Sequence, residues 1–349
     1  MSVEKSLLGK LKGGKDIYAY TITNKNGMSA VVMTYGAILR NLYVPGKKGE
    51  TDDVVLGFDQ LYRYQRNTDC FGSTIGPICN RTEKGEMVMG KKVYNLAIND
   101  RKLNNLHTDL VNGFHHRHWD AAEGKNAVTF SLVKKDGEMG HPGTMKVSVT
   151  YTLTDKNELK ITYHAESNKN TLVNMTNHSY FNLSGKKSDS IEKHKLTLHA
   201  SKFVPVRKDA IPTGELKDVK GTAFDFTKGK LIGKDVNDFS DKQLKQAHGY
   251  DHNWCIDGYN GKLKSCALVE DAKSGRSMEV FTDLPGVQFY AGNWIGNLIG
   301  KDGRRNCKRK GLCLETQYYP GSAGKSDFFC PVVGPGKPYD TTTIYKFNW

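Results

Sequence analysis

No uninterrupted apolar run in this chain approaches the roughly 18 residues that a membrane-spanning helix needs. With 38% hydrophobic residues and a mean hydropathy of −0.57, the composition reads as that of a soluble protein. Cysteine is sparse and irregular: seven in 349 residues, an odd number with no Cys-x-x-Cys pair. That argues against a secreted disulfide framework and for reduced thiols, with a cytoplasmic location the expectation. The first residues, Met1 to Leu11, carry Glu4, Lys5 and Lys10 and no apolar core of signal-peptide length. Also missing are G-x-G-x-x-G, G-x-x-x-x-G-K-[ST], G-x-S-x-G and H-E-x-x-H, which removes the sequence grounds for dinucleotide, P-loop, α/β-hydrolase and zincin chemistry. There is no Pro/Ser linker, low-complexity tract or composition shift, so a single domain over residues 1–349 is expected.

Acidic residues are outnumbered, and the net charge is +14. A basic balance raises the question of a polyanionic partner. Most lysines are scattered singly through turns, however, and only Arg304-Arg305-Asn306-Cys307-Lys308-Arg309-Lys310 is dense. With no nucleic-acid motif beside that run, neither a nucleic-acid nor a membrane partner is expected. Oligomeric state, monomer or homodimer, is left open.

Strand signals fill the chain. Ile17 to Thr23 is β-branched and aromatic, Asn24-Lys25-Asn26-Gly27 supplies a turn tolerant of positive φ, and Met28 to Tyr35 returns as a partner strand. Ala127 to Leu132, Met145 to Leu153, Leu159 to His164, Lys195 to Ala200, Ala267 to Asp271, Met278 to Thr282 and Val287 to Tyr290 continue the pattern. Helical turns are expected only near Gln60–Tyr64 and Asp241–Gln246. The class is all-β, a sandwich or barrel.

The densest chemistry lies in Asn174 to Gly185, where His178 stands among three asparagines, three small hydroxyls and two aromatics. Hydrogen bonds from such neighbours would fix the tautomer and orientation that a proton-transfer histidine needs. Further polar islands are Phe71 to Arg81, Asn104-Asn105-Leu106-His107, Gly249 to Trp254 and Gly311 to Gly321. In the last, Cys313 and Glu315 share one strand face, and Leu312 and Leu314 share the other. Taken alone, Glu315 is either an exposed edge carboxylate or a pocket carboxylate, Asp251 a turn cap or a ligand, His107 and Arg81 structural or functional. His115-His116-Arg117-His118 invites a metal reading, but no further ligand has the right spacing, so a solvated loop is expected and no metal site.

In order along the chain, these islands resemble the aldose 1-epimerase family. The resemblance runs from about Tyr18 to Phe347. It rests on Gly36-Ala37, Phe71-Gly72 to Asn80-Arg81, Asn105-Leu106-His107, Thr176 to Leu183, Val204-Pro205-Val206 with Ile211 to Gly214, Phe224-Asp225-Phe226, Gly249 to His252, Pro285 to Asn293 and Leu314 to Gln317. It implies a large antiparallel β-sandwich, the galactose mutarotase-like supersandwich, with an open sugar groove. It also implies a monosaccharide substrate, free galactose or glucose, and no cofactor. His178 is implied as the general acid and Glu315 as the general base. Arg81, His107, Asp251 and Gln288 are implied as hydroxyl-binding residues, with Asn80 and Tyr180 beside them. The chain departs from the family pattern at Gly76 to Cys79, at Thr108-Asp109 and at Tyr318 to Gly321, which leaves the preferred sugar open. Alternatives are a hexose-6-phosphate 1-epimerase, a non-catalytic sugar-binding sandwich, and a glycosidase using Asp251 and Glu315 as paired carboxylates.

Overall fold

The computed structural model describes residues 2–188, 190–324 and 327–349. Three large sheets dominate, and their ladders are antiparallel. The broadest has nine strands; its centre is Ala127–Lys134, Met145–Leu153, Glu158–Ser167, Tyr339–Asn348, Ser277–Thr282 and Lys264–Glu270, in that spatial order. Alternation places one row inward: in Met145–Leu153 the residues Met145, Val147, Val149, Tyr151 and Leu153 are buried.

Two five-stranded sheets complete the sandwich. One is an N-terminal meander, Ser2–Lys10, Asp16–Thr23, Ser29–Met33, Ile38–Pro45 and Thr51–Asp53. The other runs Lys217–Asp218, Lys202–Val204, Asp251–Cys255, Gly286–Tyr290 and Cys313–Gln317. A single apolar cluster joins them, with Tyr20, Ile22 and Val32 from the first, Trp254, Val287 and Phe289 from the second, and Phe130, Val149 and Ile161 from the nine-stranded sheet. Burial of large apolar and aromatic side chains on both faces is the main favourable term for such a fold.

The local expectations hold where the pattern is strong. The Asn24 side chain accepts from the N–H groups of Asn26 and Met28, closing the first turn. Short helices lie at Leu61–Gln65 and Lys242–Ala247, the second capped by Asp241, whose carboxylate accepts from Gln243 and Leu244. One expectation fails. Phe114–His116 is a helical turn with His115 buried, not a solvated loop, and His116 Nδ1 lies 2.7 Å from the Tyr35 hydroxyl. The basic run is partly internal: Arg309 is buried, and its guanidinium donates to the carbonyls of Ala291 and His248. The seven cysteines are free thiols. Among the described residues no helix is long and apolar enough to cross a membrane.

Candidate active site

The site forms where the edge strand Cys313–Gln317 meets the short strand Thr176–His178. Glu315 pairs in register with Gln288, and Gln288 with Asn253, so Asp251, Gln288 and Glu315 point to one face of this sheet. Thr176–His178 pairs with Ser73–Ile75, which brings Phe71-Gly72 beneath His178. Gly72 sits at φ +70°, donates to the His178 carbonyl, and a Cβ there would come within 2.2 Å of the Leu39 carbonyl oxygen. Only glycine permits that approach.

Thirteen residues line the resulting groove, whose cavity is about 170 Å³: Thr68, Asp69, Cys70, Asn80, Arg81, Leu106, His107, His178, Tyr180, Asp251, Tyr290, Trp294 and Glu315. This is small beside the roughly 300–1,000 Å³ of drug-sized ligand sites and suits one small polar ring. A larger depression of about 1020 Å³ opens elsewhere, between Met89, Tyr94, Leu172 and Phe329, but none of the motif residues borders it.

His178 Nε2 lies 3.7 Å from Glu315 Oε1, and both side chains are buried, at 8% and 3% exposure. The His178 ring lies over Tyr180, centroids 5.0 Å apart, and meets the edge of His107 at 5.4 Å. Its Nδ1 lies 3.5 Å from Cys313 Sγ. Burial pushes His178 down to about 4 and Glu315 well above the usual carboxylate range. Asp251 raises Glu315 further, and Arg81 opposes it. Glu315 Oε2 is buried without a hydrogen-bond partner among the described residues.

The second tier is built on unusual backbone. Asn80 and His107 both take left-handed φ, 59° and 55°. They clasp each other: the Asn80 N–H donates to His107 Nδ1 at 3.1 Å, and the His107 N–H donates to the Asn80 carbonyl at 3.0 Å. Nδ1 is thus an acceptor, so the neutral His107 ring carries its proton on Nε2. Thr108, a departure from the family pattern, also has positive φ, and its hydroxyl bonds both the N–H and the carbonyl of Ile78. Arg81 donates from Nε to Asp100 at 2.8 Å and lies 3.8 Å from Asp251.

The groove therefore gathers His178, Glu315, Asn80, Arg81, His107, Tyr180 and Asp251. Gln288 is not on the lining. On the same sheet face as Asp251 and Glu315, its amide donates to Asp251 Oδ1 at 2.8 Å. The amides around His178 also work otherwise than expected. Asn177 donates to the Gly72 carbonyl and the Tyr151 hydroxyl, and Asn174 exchanges hydrogen bonds with the Tyr318 backbone. They tie the motif to distant strands, while rings and a thiol touch the imidazole. Asp69, Tyr290, Trp294 and Cys313 were not singled out as site residues from the sequence. Tyr290 lies within a family-matching segment and Trp294 just beyond it, and Asp69 lies two residues before Phe71, so proximity to a motif was the available signal. Among the described residues, His178, Cys313 and Glu315 are the group that could hold a metal ion, with ligand atoms within 4.8 Å of one another.

The sequence and fold are similar to those of known proteins. The aldose 1-epimerase family model matches residues 18–346. Galactose mutarotase of Bos taurus is 41% identical over 349 residues, covering 100% of this chain and 99% of that protein. Aldose 1-epimerase of Escherichia coli (strain K12) is 32% identical, covering 96% of each. The crystal structure of galactose 1-epimerase from Lactobacillus acidophilus NCFM superposes with a TM-score of 0.86 at 27% identity, covering 99% of this chain and 98% of that one.

Proposed function

Because the chain belongs to the aldose 1-epimerase family, we propose that its groove interconverts the α and β anomers of free hexoses, galactose and glucose first, by opening and reclosing the pyranose ring. The observation that carries the reading is the buried pair His178 Nε2 and Glu315 Oε1, 3.7 Å apart on the groove floor. The anomeric hydroxyl oxygen and the ring oxygen are both bonded to C1, so a base for one and an acid for the other must be close neighbours. Glu315 takes the proton of the anomeric hydroxyl as the C1–O5 bond breaks, and His178 gives a proton to O5. The open-chain aldehyde turns about C1–C2. O5 then attacks the other face of C1, His178 takes its proton back and Glu315 returns one to the new hydroxyl. Arg81, His107, Asp251, Asn80 and Tyr180 surround the remaining hydroxyls, and Gln288 orients Asp251.

A hexose phosphate fits less well. Arg81 is the cation on the groove lining, and it already faces Asp100 and Asp251. A purely binding sandwich leaves the opposed shifts of His178 and Glu315 without use. The same reading takes the chain as one domain, since all three large sheets share one core, and its free thiols suit a reducing compartment such as the cytoplasm.

The direct test is polarimetry of freshly dissolved α-D-galactose and α-D-glucose. The protein should shorten equilibration in proportion to its concentration. Equilibration at the buffer rate across a panel of hexoses and pentoses would rule the proposal out.

A pH profile follows from the pair. Desolvation favours neutral His178 and the protonated form of Glu315, so burial biases a proton shared by the pair toward the carboxyl group. The working arrangement, carboxylate beside imidazolium, is the other placement of that same proton. Protonating the pair a second time, as pH falls through about 4 where His178 titrates, removes the base. Losing the shared proton, as pH rises through the elevated Glu315 value, removes the acid. Buffer-corrected kcat/KM should therefore be bell-shaped, with the acid limb near pH 4 and a basic limb well above the ordinary carboxylate range. A profile that climbs without a basic limb would contradict the shared proton.

A further inference from the structure

One wall of the groove, formed by Thr68, Asp69 and Cys70, has no part in the chemistry above. Its backbone is pinned to the catalytic floor. The Asp69 N–H donates to the Asn67 side chain at 2.9 Å, and the Tyr180 hydroxyl donates to the Asp69 carbonyl at 2.8 Å. Tyr180 is the same ring that lies over His178. Asp69 therefore stands on the His178 side of the groove.

Its carboxylate forms no ion pair among the described residues, because Arg81 is turned to Asp100 and Asp251. Burial alone raises Asp69 to about 6, with no hydrogen bond or cation lowering it. At neutral pH it is an ionised, half-buried carboxylate on a residue that lines the groove, with no donor to it among the described residues. Such a group is costly unless a ligand supplies the missing hydrogen bonds.

We propose that Asp69 is the hexose-selecting residue of the groove, its carboxylate accepting the hydrogen bond of the sugar's C6 hydroxyl. The inference rests on the assignment of His178 to the ring oxygen. That oxygen joins C1 to C5, and C5 carries the CH2OH group. With C1 over the His178–Glu315 pair, the substituent projecting on the acid's side is therefore the C6 hydroxyl, toward Tyr180 and Asp69. A pentopyranose has only hydrogen there, and a 6-deoxyhexose has a methyl group. A site that accepts a hydrogen bond from a substrate hydroxyl rejects analogues that lack it, because its own polar group is then left unpaired.

The test compares D-galactose with D-fucose, its 6-deoxy form, and L-arabinose, which lacks C6. Wild type should prefer D-galactose in kcat/KM by about tenfold or more, the scale of a hydrogen bond to a charged group. In Asp69→Ala the galactose-to-fucose and galactose-to-arabinose ratios should fall by about tenfold, mainly through a higher KM for galactose, and Asp69→Glu should restore part of the preference. Activity on D-fucose reports that the variant is folded. Equal losses on all three sugars, or unchanged ratios, would overturn the assignment of Asp69 while leaving the epimerase reading intact. A wild-type protein inactive on every sugar would instead overturn the epimerase reading on which this one rests.

Discussion

Glu315→Gln is expected to lower kcat for galactose mutarotation by roughly 10²–10⁴-fold, the usual contribution of a positioned general base. The amide keeps the shape of the side chain and can still meet the sugar's hydroxyls, so KM should change much less. What it cannot do is take the anomeric proton. Loss of folding is not the expected cause, because Glu315 sits on a wholly buried strand where a neutral amide is no harder to bury than a carboxyl group. Thermal melting should therefore stay close to wild type. Since His178 works on the same proton movement, adding His178→Asn should cost far less than the product of the two single losses. A Glu315→Gln protein with wild-type kcat would remove Glu315 from the mechanism.

The second large effect concerns the frame rather than the groove. Lys301 Nζ lies 2.6 Å from Asp53 Oδ2, with both side chains buried. Lys301 also donates to the Val55 carbonyl, and Asp53 accepts from the Asn41 side chain and from the N–H groups of Leu42 and Val55. The pair thereby ties the last strand of the N-terminal meander to the turn Lys301–Gly303. Burial holds the Lys301 ammonium below its ordinary value, against the pull of Asp53. Lys301→Met would leave the Asp53 carboxylate uncompensated in the interior and should cost about 3–5 kcal/mol in urea unfolding. Replacing both, as Lys301→Met with Asp53→Leu, should not recover that loss, because Asp53→Leu also takes the acceptor from the Asn41 amide and from the Leu42 and Val55 N–H groups. If the single change costs less than about 1 kcal/mol, the pair is not isolated from solvent as its burial indicates. Neither residue lines the groove, so kcat of the surviving folded protein should not change.

Both effects separate what is local in this chain from what is not. Alternation in Met145 to Leu153 and the Asn24 to Gly27 turn follow from side-chain period and φ tolerance, properties of a few adjacent residues, and the strands form as expected. His115 shows the opposite case. A run of histidines looks hydrophilic, yet the helical turn Phe114–His116 folds it under the sheet, and burial drives its pKa to about 3. Nothing within the run carries the atoms that bury it.

The candidate site divides in the same way. The sequence by itself determined the candidates, because histidine, glutamate, arginine and asparagine stand out in short polar islands against an alternating apolar background; their roles came only from the family resemblance. It also determined that Cys313 and Glu315 share a face, since that needs only the strand period. Tertiary structure alone decided that His178 meets Glu315, that Gln288 donates to Asp251, that Asn80 sets the His107 tautomer and that Asp69 lines the groove with no ion pair among the described residues. Proton affinity and hydrogen-bond pairing depend on desolvation and on neighbours brought in from remote strands. Residue order along the chain does not encode those distances until the sheets have packed.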